Sequence, residues 1–233
     1  RLRWSTLRRP PLNHTTRVTP LAGQTLTLRI LFTGEGTSDD GLVPHIEAIA
    51  ATAGKSVSIT SPDFGRLGFT SCHAVPEKLR KVREFGDDYD LIIVHRDADG
   101  TCANDRREEI AKAVAAEWPA HPHIAVVPVR MLEAWLLLDE AGIRQVAENP
   151  NGRMKLSLPS GVAAEKIGDP KKLLKETLAT ASGYTGRRLA GFQKRFPNHR
   201  HKLLERLDPH GPVSQLPSWH AFMDDLKTAI RAV

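Results

Sequence analysis

The sequence contains little of what marks membrane, secreted or disulfide-stabilised proteins. It has only two cysteines, Cys72 and Cys102, without a C-x-x-C pair, so a disulfide scaffold is not indicated. No stretch reaches the roughly 18 apolar residues that a membrane-spanning helix needs. The basic N-terminus has no apolar segment of the kind found in secretory signals. These absences predict a protein of the reducing cytoplasm without a membrane partner.

Charge is distributed unevenly along the 233 residues, which carry a net charge of +6. Residues 1–25 have a net charge of +5, residues 26–140 of −7 and residues 141–233 of +8. Acidic sites bind cations and basic surfaces attract polyanions such as nucleic acid, although many Lys and Arg are simply solvated. The chain is therefore expected to comprise a basic, flexible arm (1–25), an acidic module (26–140) and a basic extension (141–233).

Hydrophobic periodicity predicts alternating strands and helices in the acidic module. The predicted strands are 26–32, 56–60, 90–95 and 124–129, and a helix is expected after each, the last over Met131–Ala141. This alternation predicts an α/β fold, a Rossmann-like parallel sheet flanked by helices. The extension is expected to be mainly helical, with helices near 170–182 and 218–233 and irregular basic sequence between them.

Carboxylates follow the predicted strands, at the edge where open α/β sheets bind ligands. Glu35 and Asp39 follow the first strand, and one helical turn between them would let both face one ion. Asp97 and Asp99 follow the buried strand 90–95 and would point to the same side of an extended chain. Such hard oxygen ligands select Mg²⁺ or Mn²⁺.

Glu133 is a lone carboxylate in the apolar segment MLEAWLLLD. Because an unpaired buried carboxylate is costly, we expect it to cap a backbone group, to pair with Arg130 or Arg96, or to lean towards the metal site.

Together these motifs resemble a known catalytic module. The segments LFTGEGTSD, LIIVHRDADG, VPVRMLEAWLLLD and DPKKLLKETL, over roughly residues 26–230, resemble a bacterial Toprim-like family that is often encoded beside ATPases in phage-defence loci. Toprim modules are the metal-binding catalytic modules of topoisomerases, primases and overcoming-lysogenization-defect nucleases. The resemblance implies that Glu35 is a metal ligand or general acid/base, that Asp97 and Asp99 hold Mg²⁺, and that Asp39 is a shorter counterpart of the second acid. Glu133 matches an element of unassigned role.

The resemblance implies phosphodiester chemistry, and the sequence narrows which kind. Tyr89 and Tyr184 are the only tyrosines and neither is placed to break DNA, so water is the expected nucleophile of a Mg²⁺-dependent nuclease. No P-loop pattern occurs, so a separate ATPase subunit is the expected partner of an anti-phage effector. Two alternatives stay open. One is a non-cutting subunit that binds the ATPase and nucleic acid, and the other is a haloacid-dehalogenase-type phosphatase that uses the Asp97-x-Asp99 loop.

Basic residues in the extension are candidates for binding the nucleic acid. They interleave with aromatic and His side chains, and the candidates are Arg187, Arg188, Lys194, Arg195, Arg200 and Lys202. Phe192 and Phe196 lie four residues apart, a spacing that favours the core face of a helix over base stacking.

Overall fold

The structure, a computed structural model, describes residues 27–69 and 74–233. Its four strands are β1 (Thr27–Thr33), β2 (Ser56–Thr60), β3 (Leu91–His95) and β4 (His123–Val126). The α-helices are α1 (Val43–Thr52), α2 (Val75–Glu84), α3 (Ala103–Glu117), α4 (Glu133–Leu136), α5 (Glu140–Val146), α6 (Pro170–Ser182), α7 (Gly186–Lys194), α8 (Phe196–Glu205) and α9 (Pro217–Ala232). Short 3₁₀ helices span Thr37–Leu42, Gly161–Lys166 and Pro212–Gln215. The predicted arm, residues 1–25, lies outside the described residues.

The strands form one parallel sheet in the order β2-β1-β3-β4. β1 and β3 are the central pair, with Thr33 opposite Val94, so the chain leaves both strands at neighbouring points of one edge. Every residue of β3 is buried, as expected for a strand covered on both faces. The predicted α/β architecture, a parallel sheet flanked by helices, is confirmed.

Helices cover both faces of this sheet. On one face Leu79 of α2 and Ile110 of α3 pack into a core with Ile92 and Val94. On the other face α1 and α9 pack against side chains that include Ile30. This second core continues into α4–α8, where the rings of Trp135 and Trp219 meet edge to face with centroids 5.0 Å apart. The C-terminal helices therefore share their core with the sheet.

Two predicted elements are wrong in the C-terminal half. The continuous helix over Met131–Ala141 is two short helices, α4 and α5, because the side chain of Asp139 accepts a hydrogen bond from Gly142 N (2.9 Å) and starts a new helix. The sequence expected to be irregular between the two predicted helices forms α7 and α8. Phe192 and Phe196 are buried, which confirms their predicted place on a core face. Within the described ranges, no helix has both the length and the apolar character needed to cross a bilayer.

Candidate active site at the carboxyl edge of the sheet

The loop after β1 folds back around the carboxylate of Asp39. Asp39 Oδ2 accepts hydrogen bonds from the backbone N–H groups of Glu35 (2.7 Å) and Gly36 (3.2 Å). A Cβ atom on Gly34 would lie 2.5 Å from that same oxygen, so only glycine fits there. Asp39 is 1% exposed and turned inward. We expected Asp39 to face an ion together with Glu35. Instead, its carboxylate accepts hydrogen bonds from the loop and holds the loop in shape.

His95, the last residue of β3, lies between two acids. Its Nδ1 is 2.9 Å from Asp39 Oδ2, and its Nε2 is 3.1 Å from Asp97 Oδ1. Burial alone would lower the pKa of His95, but the two carboxylates raise it to about 10. The imidazolium therefore donates from both nitrogens at neutral pH. It holds in place the residues that follow β1 and β3.

Arg200 of α8 reaches into the same cluster from the C-terminal half. Its Nη1 donates to Asp39 Oδ1 and, at 2.7 Å, to Ser38 Oγ, and its Nε donates to Glu133 Oε1 at 3.0 Å. Burial would raise the pKa of Asp39, but His95 and Arg200 hold that pKa far below its usual range. The expectation that Glu133 pairs with Arg130 or Arg96 is wrong. Its buried partner is Arg200, which lies 67 residues further along the chain.

The carboxylate of Glu35 joins the ends of β1 and β3. Its Oε1 accepts from the backbone N–H of Asp97 (3.2 Å) and from Arg96 Nη1 (2.6 Å). Asp97 Oδ1 accepts from the backbone N–H of Leu132 (3.0 Å), which brings the segment after β4 to the same place. Glu35 and Asp97 therefore lie together at one edge of the sheet, as the sequence predicted.

Asp99 is placed differently from the prediction. The chain does not stay extended after Asp97, because Thr101 N donates to Ala98 O (2.8 Å) in a turn and Asp99 adopts a φ of +50°. Asp97 is 8% exposed, whereas Asp99 is exposed. The expectation that the two carboxylates point together is wrong for this reason.

A cleft of about 300 Å³ opens at this edge of the sheet, and its lining brings together four of the five predicted metal ligands. Its lining includes Glu35, Asp39, Asp97, Glu133, Lys171, Phe196 and Arg200. Glu133 is 2% exposed, and its Oε2 is buried without a hydrogen-bond partner in the part of the chain that the structure describes. Glu35 Oε2 and Asp97 Oδ2 likewise accept no hydrogen bond from the described residues. Three carboxylates on one cleft thus each keep one oxygen to which no described residue donates.

The donor chemistry of these residues fits a magnesium ion. Carboxylate oxygens are the ligands that Mg²⁺ prefers, and the orphaned Oε2 of Glu133 calls for a cation or a donor. Among the described residues, no three Asp, Glu, His or Cys side chains converge closely enough to enclose a metal ion.

Comparison with known proteins identifies the family of the chain. A family model described as "Domain of unknown function (DUF4276)" matches residues 34–227. The chain belongs to the DUF4276 family. No curated protein matches it, and no solved structure matches it.

The match covers the whole candidate site of this DUF4276 chain, including two buried cations that sequence reasoning missed. His95 could have been noticed as the one ionisable residue in an otherwise apolar strand. Lys78 of α2 is 5% exposed, and its Nζ donates to the carbonyl oxygens of Gly34 (2.6 Å) and Glu35 (3.2 Å). These two hydrogen bonds hold the loop after β1 in place.

The predicted nucleic-acid residues of the DUF4276 chain divide into two groups. Five of them are exposed, namely Arg187, Arg188, Lys194, Arg195 and Lys202. Arg188 lies 3.7 Å from the centroid of the Tyr184 ring and donates to its hydroxyl, and Arg195 is 3.7 Å from Glu148 Oε1. Arg200 is 7% exposed and paired with buried acids, so it could meet a phosphate only from inside the cleft.

Proposed function

We propose that the chain is a Mg²⁺-dependent nuclease, which hydrolyses phosphodiester bonds of DNA or RNA in the cytoplasm. One observation carries the proposal. Glu35, Asp97 and Glu133 lie in the segments that follow three different strands and line one cleft, and each keeps a carboxylate oxygen without a donor among the described residues. Acidic side chains that converge in one cleft are typical of catalytic sites. The Toprim-like motif order supports the same chemistry.

The residues of the cleft have distinct roles in this proposal. Glu35, Asp97 and Glu133 would hold the ion, with Mn²⁺ as a substitute for Mg²⁺, while Asp99 lies exposed just outside the cleft. When bound, Mg²⁺ supplies positive charge that stabilises the charge developing on the phosphate oxygens. Glu35, whose side chain is 32% exposed, is the carboxylate best placed to take a proton from the attacking water.

Buried groups keep the acids in position. His95 and Arg200 neutralise Asp39, so that the loop which carries Glu35 keeps its shape at neutral pH. Asp97 Oδ1 is fixed by His95 and by the backbone of Leu132, which leaves the other oxygen for the ion. Asp39 thus acts as a positioning residue in this proposal.

The biological setting rests on the resemblance rather than on the geometry. We propose that the chain is the effector of a bacterial anti-phage defence system and that a separate ATPase subunit controls it, since the sequence has no P-loop pattern.

A second candidate is a non-cutting subunit that binds an ATPase and nucleic acid. The observation that favours it is that protein cations already neutralise two of the acids, with Arg96 on Glu35 and Arg200 on Asp39. An acidic cluster satisfied in this way is stable without a metal ion. The phosphatase alternative has no comparable support, because its loop would need both Asp97 and Asp99 at the cleft and Asp99 is not part of the cleft lining.

Cleavage assays with a matched variant test the proposal. Plasmid DNA and total tRNA are incubated with Mg²⁺ or Mn²⁺ and the wild type, Asp97→Asn or Asp224→Asn, an exposed acid of α9 that serves as control. We expect the wild type and the control to cut at least one substrate, and Asp97→Asn to lose about 100-fold or more in rate. Wild-type protein that cuts neither substrate, alone or with its ATPase, would contradict the proposal. Phosphate release from p-nitrophenyl phosphate would favour the phosphatase.

A further inference from the structure

The helices beside the cleft carry most of the positive charge of the C-terminal half. Residues 170–205, which form α6–α8, contain nine Lys or Arg and two Glu, a net charge of +7. Arg200 is buried among acids, but the other eight cations are exposed. Such a density of exposed positive charge is the electrostatic signature of a phosphate-binding surface.

Two lysines of α6, absent from the sequence-based candidates, connect this charge to the cleft. Lys171 lines the cleft together with Glu35 and Asp97. Lys175 follows four residues later, on the same side of the helix and roughly 6 Å further along its axis. It lines a second cavity of about 180 Å³ with Phe192 and His199.

The two cavities adjoin at one aromatic ring. Phe196 lines both of them, and Lys175 Nζ lies 5.0 Å from the centroid of that ring. Lys171 therefore lies at the cavity that holds the carboxylates, and Lys175 at the cavity on the other side of the Phe196 ring. We call the two neighbouring cavities together the α6 trough.

The shape of the cleft limits what can enter it. Asp97 is 8% exposed and Glu133 is 2% exposed, so a phosphate must descend between cleft walls to reach them. A volume of about 300 Å³ is the space of roughly ten water molecules. That space suits one nucleotide unit of a strand, whereas a duplex keeps its phosphates on the outside of a much wider cylinder.

We infer that the α6 trough binds single-stranded nucleic acid, with one phosphate in the cleft and with Lys171 and Lys175 on neighbouring phosphates. This inference rests on the proposed function, since it places the scissile phosphate at the acidic cluster. The lysines also offset the repulsion between the incoming phosphates and the carboxylates. They act by binding the substrate and do not take part in proton transfer.

Fluorescence anisotropy with labelled oligonucleotides tests the inference independently of cleavage. The probes are a single strand of about 20 nucleotides and its blunt duplex, in both DNA and RNA. They are titrated with Ca²⁺ present instead of Mg²⁺, between about 50 and 200 mM salt. The test variant is Lys171→Gln/Lys175→Gln, and the control is Lys155→Gln/Lys227→Gln, two exposed lysines outside α6–α8.

We expect the test variant to bind the single strand about tenfold more weakly than the control. The slope of log K against log salt should become shallower by about 0.7 for each lost phosphate contact. The wild type should prefer the single strand to the duplex. Equal affinities of test and control variants, or tighter binding of the duplex, would overturn the inference. Lysine-dependent binding without any cleavage would instead contradict only the nuclease proposal, and cleavage without lysine-dependent binding only this inference.

Discussion

His95 Nδ1 and Asp39 Oδ2 form a contact of 2.9 Å in which neither side chain is more than 2% exposed to solvent. The contact joins the end of β3 to the loop after β1, the two places from which the candidate catalytic acids extend. Arg200 completes the charge balance on the other oxygen of Asp39. The acidic cleft thus stands on a buried ion-paired cluster of His95, Asp39 and Arg200, to which the proposed function gives a positioning role.

Asp39→Asn should destabilise the protein by about 3–5 kcal/mol, because it leaves His95 and Arg200 buried with too little negative charge. The measurement is urea unfolding followed by circular dichroism. Asp224→Asn, at an exposed position of α9, is the control and should change stability by no more than about 0.5 kcal/mol. Equal unfolding midpoints for the two variants would refute the structural role of Asp39.

Gly34→Ala should lower the free energy of unfolding by about 1–3 kcal/mol, because the new Cβ would lie 2.6 Å from Asp39 Cβ and force the loop apart. Gly36→Ala is a matched control two residues away. Nothing lies within 4 Å of a Cβ at Gly36, and its φ of −151° suits any residue. Thermal unfolding of both variants checks the prediction, which fails if Gly36→Ala is the more damaging change.

Stability should fall below neutral pH through His45 of α1. Burial lowers the pKa of His45, while its Nε2 donates to Leu204 O at 2.7 Å. The folded state therefore resists protonation, and the unfolded state gains protons as the pH falls through the ordinary value near 6.5. The wild type should lose more stability than His45→Gln between about pH 7 and pH 5. Parallel stability curves for the two proteins in urea would count against this.

Arg96→Gln should bind Mg²⁺ more tightly than the wild type. Arg96 Nη1 donates to Glu35 Oε1 at 2.6 Å, so it competes with a metal ion for that carboxylate and repels the ion. Loss of one charge-assisted hydrogen bond of about 1.5 kcal/mol corresponds to an increase of roughly tenfold in affinity. Isothermal calorimetry with MgCl₂ gives the dissociation constants.

Arg80→Gln is the control for this change. Its side chain is 63% exposed on α2 and paired with Glu117, outside the lining of the cleft. It should bind Mg²⁺ as the wild type does. Unchanged or weaker binding by Arg96→Gln would mean that Glu35 is not a ligand.

Much of the fold follows from local pattern. The buried run LIIVH and the alternation of strands with amphipathic helices predicted the parallel sheet, because both signals arise within a few residues of chain. The same rule placed Glu35 and Asp97 at one edge. Local pattern failed at Met131–Ala141, where a single capping carboxylate outweighed the apolar run and divided the helix.

The errors in the site have a different origin. The orientation of Asp99 depends on a positive φ within a turn, and alternation of side chains holds only while the chain stays extended. The buried position of Asp39 depends on its ion pair with Arg200, which lies 161 residues away in the sequence. Periodicity carries no information about such a pairing, so a carboxylate with the spacing of a ligand proved to be the partner of buried cations.

The contribution of α8 to the cluster has a consequence for the order in which the protein matures during synthesis. The four strands emerge from the ribosome before the helix that carries Arg200, because α8 follows all of them in the chain. Until that arginine arrives, Glu133 lacks its counter-ion and Asp39 has only His95, so the acidic cluster is incomplete. The cleft is therefore completed only once the C-terminal half has packed against the sheet.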